Sequence, residues 1–319
     1  MNLETVKSAM LGLAVGDALG VPVEFRSRDR LDREPVTGMR AYGTHQQPAG
    51  TWSDDTSMAL CLLKSLTQCG VDCGDMMARF FRWADEGYMT AHGKVFDMGI
   101  STQKALSRYG RGTPPLECGS QGQYDNGNGS LMRILPMALY LHCRFGPEFS
   151  SKPEAYELIH QASRVTHAHP ISQISCGIYC AIANEFLCGH FAPDDMQRGI
   201  AFAKGLYAIL PEFAPWLEQF GWVDVNVLRS LPRERVRSDG FVIHTLEAAL
   251  WCLLAFDSYK DCLLAAVNLG DDTDTTGAAA GGLAGIRWGW DSIPAEWLQV
   301  LARRGDIEAL CCSFWNAAL

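Results

Sequence analysis

Glycines at positions 12, 16 and 20 recur every fourth residue within a stretch whose apolar side chains (Leu3, Val6, Ala9, Met10, Leu13, Ala14) follow helical spacing. A helix carrying them has one bare face, against which another backbone can come very close. Asp17 sits beside that face, and the chain runs on through Gly20 into Val21-Pro22-Val23-Glu24-Phe25. Acidic groups are seldom placed against close packing without a partner. A second run of small residues, from Gly277 through Ala278, Ala279, Ala280 and Gly281 to Gly282, predicts another helix lying close to its neighbours. Immediately before it comes Asp271-Asp272-Thr273-Asp274-Thr275-Thr276. Asp- and Thr-rich turns also cap helices. Carboxylates this crowded repel one another, however, and oxygen-rich clusters suit hard cations such as Mg²⁺, Ca²⁺ or Mn²⁺.

A matching cluster lies far away in sequence, in Gly50-Thr51-Trp52-Ser53-Asp54-Asp55-Thr56-Ser57-Met58. Ser53 or Asp54 would cap a helix continuing through Met58, Leu62 and Leu66. One acidic residue would suffice for a cap, so the second points to a cation shared with the later cluster. Residues 26–50 lack sustained periodicity and read as a long loop. Residues 75–110 read as helical with a break, in which Asp97 is either a cap or a cleft residue.

Gly112 to Gly129 forms another loop, ending in Asn126-Gly127-Asn128-Gly129-Ser130-Leu131-Met132-Arg133. Helical period follows at once, so this glycine-rich segment is expected to enter a helix N-terminus and offer backbone N–H groups to an anion. It fits neither a Walker loop nor a dinucleotide fingerprint. His167-Ala168-His169 interrupts a helical region from 154 to 190, and Pro170 suits the first turn of the next helix. Residues 191–240 carry Trp216, Phe220 and Trp222 as core or pocket rim, without assigned helices. Two more helices are expected at about 242–256 and 259–268. Period-two alternation with hairpin turns is absent, so the expected fold is all-α. It should form a single domain over 1–319 with its function on interhelical loops.

The formal charge of −9 argues against a broad basic surface for nucleic acid. A nucleic-acid substrate stays open, because a bound cation can invert the local field. The twelve cysteines are dispersed through apolar stretches and predict reduced thiols, not disulfides or zinc. No signal-peptide pattern opens the chain, and its longest apolar run, 248–256, is too short to span a bilayer. A cytoplasmic, monomeric protein is expected.

Taken together, Gly12-x3-Gly16-Asp17-x2-Gly20-x3-Glu24-Phe25, Gly50-x-Trp52-Ser53-Asp54-Asp55-Thr56-x-Met58, Phe96-Asp97-Met98-Gly99, Asn128-Gly129-Ser130-Leu131-Met132-Arg133, Thr166-His167-x-His169 and Asp272-x-Asp274-Thr275 resemble the ADP-ribosylglycohydrolase family. The resemblance implies an orthogonal helical bundle whose cleft holds two divalent metals, Mg²⁺ or Mn²⁺. Their ligands would be Ser53, Asp54, Asp55, Asp272, Asp274 and Thr275, with Ser53 standing where the family usually has Thr. Catalytic work would fall to Asp54, Asp55, Asp97 or Glu24. Asn128, Gly129, Ser130, Leu131, Met132 and His167 would contact ADP-ribose. The implied substrate is an ADP-ribosylated protein, arginine-linked in preference to serine, acyl or nucleic-acid linkages. Competing readings are another metal-dependent phosphohydrolase, or a non-catalytic binder or structural protein, since the family resembled also includes lens crystallins.

Overall fold

The structure, a computed structural model, describes residues 1–318, and its secondary structure there is helical throughout. Fifteen α-helices follow in order: α1 Leu3–Gly20, α2 Arg28–Arg33, α3 Asp54–Cys69, α4 Cys73–Glu86, α5 Ile100–Gly110, α6 Leu135–Phe145, α7 Pro153–Arg164, α8 Pro170–Leu187, α9 Pro193–Ala208, α10 Val225–Ser230, α11 Val242–Ala255, α12 Tyr259–Val267, α13 Thr273–Trp288, α14 Ala295–Val300 and α15 Arg304–Ala318. Among the described residues, β-pairing is limited to three isolated bridges between loops. The all-α expectation holds.

Helices α1 and α13 form the centre. Ser8 to Gly20 and Thr273 to Ile286 are buried without interruption, which requires other helices on every side. The two glycine-rich stretches face each other. A Cβ on Gly16 would run into the Gly277 carbonyl, one on Gly12 into Gly281, and one on Gly20 into the backbone of Asp274. Helix-interior glycines cost about 1 kcal/mol each relative to alanine. Here that cost allows a backbone approach no other residue permits. Side-chain hydroxyls brace the pair: Tyr259 donates to the Gly12 carbonyl at 2.9 Å, Tyr179 to Ala279 at 2.9 Å and Thr273 to Gly20 at 2.9 Å.

The segment Leu3–Val23 is long and apolar enough to cross a membrane, although Glu4, Lys7 and Asp17 interrupt its apolar run. It is 94% buried inside the protein, as a central core helix should be. Three further expectations need correction. The 26–50 loop contains α2 and a short 3₁₀ turn at Gly43–His45. Residues 191–240 hold α9 and α10, whose mixed polar surfaces gave weak periodicity. The glycine-rich 126–129 segment does not enter a helix directly: Leu131 to Ile134 form tight turns, and α6 begins at Leu135 with Pro136 in its first turn.

Candidate active site

The α1–α13 contact sets the geometry of the acidic residues. Gly20 rests on the backbone of Asp274, so Asp17 below it and Glu24 beyond it are delivered to the start of α13. Asp17 is fully buried and accepts from the N–H of Ser53 at 2.9 Å, the N–H of Thr56 at 3.0 Å and the hydroxyl of Thr56 at 2.6 Å. A residue of α1 therefore caps the N-terminus of α3 and pins the Ser53-Asp54-Asp55 loop against the central pair. Ser53 adds the local cap, its Oγ accepting from Asp55 N at 3.4 Å and donating to Asp55 Oδ2 at 2.9 Å. The Thr275 hydroxyl approaches the same Asp55 oxygen at 3.4 Å, joining the two clusters across 220 residues of sequence.

Carboxylates then converge. Ligand atoms of Asp17, Asp55 and Asp274 all lie within 4.8 Å of one another, as do those of Glu24, Asp272 and Asp274, and those of Glu24, His45 and Asp97. Asp54 belongs to none of these three groupings, although it is buried and feels Asp97, Asp17 and Glu24 as its charged neighbours. Asp272 occupies the N-cap position of α13 yet makes no cap bond, so the simple capped-turn account fails. Its Oδ2 accepts from Asn128 Nδ2 at 2.8 Å, and its Oδ1 is buried without a partner. Asp55 Oδ1 and Asp274 Oδ2 are likewise buried and unpaired. Such atoms carry a full desolvation cost unless something positive meets them. Three orphaned carboxylate oxygens in one buried cluster fit a cation.

Without that cation the carboxyl groups are shifted toward their protonated forms. Burial pushes Asp17 up to about 6 and Glu24 up to about 7, with Asp97 and Asp272 adding repulsion on Glu24 against a hydrogen bond from His45. Burial followed by mutual repulsion raises Asp54, Asp55 and Asp274 well above the carboxylate range. Asp272 is raised by burial despite its bond from Asn128. The pattern identifies a site built for a compensating positive charge.

The remaining expected residues surround this cluster in two ways. Asn128 bridges Asp272 and the Thr245 hydroxyl, which lies 2.9 Å from Nδ2. His167 is buried behind the loop, and a Cβ on Gly129 would press against its ring. Burial, then Arg133, lowers His167 to about 3, so its ring is neutral. Ser130, Leu131 and Met132 are buried as well, and the Ser130 hydroxyl is taken by Ser163 at 2.9 Å. Their side chains belong to the core, leaving backbone as the part of this loop that can meet a ligand. Asp97 is half-buried, its Oδ1 accepting from Met98 N at 2.9 Å.

Two contributors escaped sequence reasoning. His45 bonds Glu24 from a polar loop that carried no signal. Arg133 is a fully buried guanidinium that bonds the Gly129 carbonyl and donates to Thr166 Oγ1 at 2.6 Å, with Phe80 beneath it. It ties the Asn128 loop to the Thr166-His167 turn. The sequence sets Asp17 beside the glycine face, and its role as the cap of α3 shows only in three dimensions.

A profile described as ADP-ribosylglycohydrolase matches residues 2–318. ADP-ribosylarginine hydrolase Tri1 of Pseudomonas putida is 33% identical over 99% of this chain and 79% of its own length. ADP-ribosyl-[dinitrogen reductase] glycohydrolase of Rhodospirillum rubrum is 30% identical over 94% of this chain and 91% of its own. A solved structure described as an ADP-ribosylglycohydrolase-related protein complex superposes with a TM-score of 0.81 and 32% identity, covering 99% of each chain.

Proposed function

The chain belongs to the ADP-ribosylglycohydrolase family of enzymes, and on that premise we propose that it hydrolyses the N-glycosidic bond between ADP-ribose and an arginine side chain of a modified protein. The observation that supports this most is the convergence of Asp55, Asp272 and Asp274 with orphaned buried oxygens at the joint between α1, α3 and α13. Ser53, Asp54, Asp55, Asp272, Asp274 and Thr275 would hold two divalent cations, Mg²⁺ or Mn²⁺, with Glu24 at their edge. When bound, such cations supply Lewis-acid polarisation and lower the pKa of water.

The protein's own groups supply the rest. Backbone of the Asn128–Met132 loop, held by Arg133 and backed by neutral His167, receives the anionic ADP-ribose. Asn128 sets the orientation of Asp272 from the same side. A carboxylate at the cleft, from Glu24, Asp54, Asp55 or Asp97, takes a proton from the water that attacks the anomeric carbon as the guanidine nitrogen leaves and is protonated. A cytoplasmic setting accords with twelve cysteines that all stand as free thiols.

Product analysis tests the reading. Purified protein with Mn²⁺ and a protein ADP-ribosylated on arginine should release free ADP-ribose, and chelation should stop it. Release of AMP or inorganic phosphate instead would identify a phosphohydrolase, and turnover undiminished by chelator would sink the two-cation scheme.

A further inference from the structure

We propose that Phe25, Phe96 and His45 form the wall of an acceptor subsite, with Phe25 as the specificity residue that stacks on the departing guanidinium. This inference rests on the arginine reading above.

Phe25 is anomalous twice over. Its φ is +62, a left-handed conformation that bulky residues rarely take, and its side chain is 69% exposed. The core gains nothing from an exposed ring, so packing does not explain the strain. The conformation is enforced by backbone pairing: Phe25 N donates to the Asp271 carbonyl at 2.7 Å, and Asp271 N donates to the Arg26 carbonyl at 2.9 Å. Asp271 is itself left-handed at φ +58. Two strained residues thus lock the segment bearing Glu24 to the segment bearing Asp272. Backbone strain kept at a cleft edge and held by its surroundings is characteristic of ligand clamps.

A second strained segment covers Glu24 from the other side. Tyr42 and Gln46 have φ of +66 and +56, and between them the Thr44 hydroxyl donates to the Glu24 carbonyl at 2.7 Å while His45 bonds the Glu24 carboxylate. The His45 ring lies 6.0 Å from Phe25 and 5.2 Å from Phe96, centroid to centroid. The result is a row of three rings, with Glu24 bonded to the central His45 and Asp97 adjoining Phe96.

The chemistry of the wall assigns the occupant. Asn128 meets the acidic cluster through Asp272, and Glu24, which meets Asp272 and Asp274, is bonded by His45 of the ring row. In this proposal the ribose sits over the cluster, the ADP portion lies on the Asn128 loop and the leaving group meets the rings. The Phe25 and Phe96 faces, with the Asp97 carboxylate adjoining, are complementary to a planar, delocalised cation. A neutral serine hydroxyl or acyl ester would gain none of that attraction.

The test uses agmatine, a free guanidinium compound, as inhibitor, with wild type, Phe25→Ala and Phe25→Trp assayed on ADP-ribosylarginine. Loss of one cation–π contact should weaken agmatine inhibition and lower kcat/KM by roughly tenfold in Phe25→Ala. Phe25→Trp should restore both, and affinity for free ADP-ribose should not move in either variant. Equal agmatine inhibition across the three proteins, or ADP-ribose affinity falling in step, would overturn the subsite. Absence of wild-type turnover on ADP-ribosylarginine would instead overturn the proposed reaction, so the two failures are separable.

Discussion

Removing cations from the acidic cluster should make the protein's stability fall as pH rises, the reverse of ordinary acid denaturation. Asp17 is raised from 3.8 to about 6 and Glu24 from 4.5 to about 7, both through burial. Their folded-state values exceed their unfolded ones, so the folded protein binds more protons than the unfolded chain across that interval. Stability is then complete below the unfolded values and is lost as pH climbs through the folded ones, between about 4 and about 7. His45, raised by its bond to Glu24, acts in the same direction. At about 1.4 kcal/mol per pKa unit, Asp17 and Glu24 are worth about 3 kcal/mol each, and coupling between them makes roughly 3–6 the sensible range. A chain of 319 residues unfolds with an entropy on the order of 0.7 kcal/mol per degree, which converts that range to a fall in Tm of roughly 5–9 °C. Asp54, Asp55 and Asp274 shift the same way and add to it. Thermal melts in chelator at about pH 4 and about pH 8 measure the effect, and saturating Mn²⁺ should abolish it by favouring ionised carboxylates. A metal-free Tm that stays level across this range, or one that falls equally with Mn²⁺, would refute the reasoning.

Three substitutions separate the contributions. Asp274→Asn should cut Mn²⁺ affinity, read by calorimetric titration, by ~100-fold or more, while raising metal-free stability at alkaline pH because one buried charge is gone. Gly16→Val should cost about 2–3 kcal/mol or more in urea unfolding, since its Cβ meets the Gly277 carbonyl and no flexible side chain can yield. Arg133→Met should weaken ADP-ribose binding while leaving Mn²⁺ titration unchanged. It strips donors from the Gly129 carbonyl and Thr166, at a stability cost of about 2–4 kcal/mol.

Helices with strong apolar spacing and clear caps were legible from sequence. Ser53 caps α3 and Pro170 opens α8, both as their local chemistry predicts. The acidic motifs were legible too, because repulsion among neighbouring carboxylates is a property of sequence alone. Contributions made by contacts between distant segments were not. Nothing in Gly43-Thr44-His45 announces that its imidazole will meet Glu24, because a short 3₁₀ turn in a polar loop has no periodicity to read. Leu131 and Met132 showed apolar character, but only the fold reveals that they serve the core while the backbone of their loop remains for a ligand.

The glycine stripe links packing to chemistry. Had Gly12, Gly16 and Gly20 served tight packing alone, any partner of small residues would satisfy them. They instead select one register, in which Gly20 abuts Asp274, and that register carries Asp17 under the Ser53 loop and Glu24 over Asp272. A substitution that slides α1 along α13 by even one side-chain width would separate Glu24 from Asp274 without exposing either helix. The site should therefore fail before the fold does. Gly20→Ala, whose Cβ meets the Asp274 backbone at the very edge of the interface, is the variant in which loss of Mn²⁺ binding should outrun loss of stability.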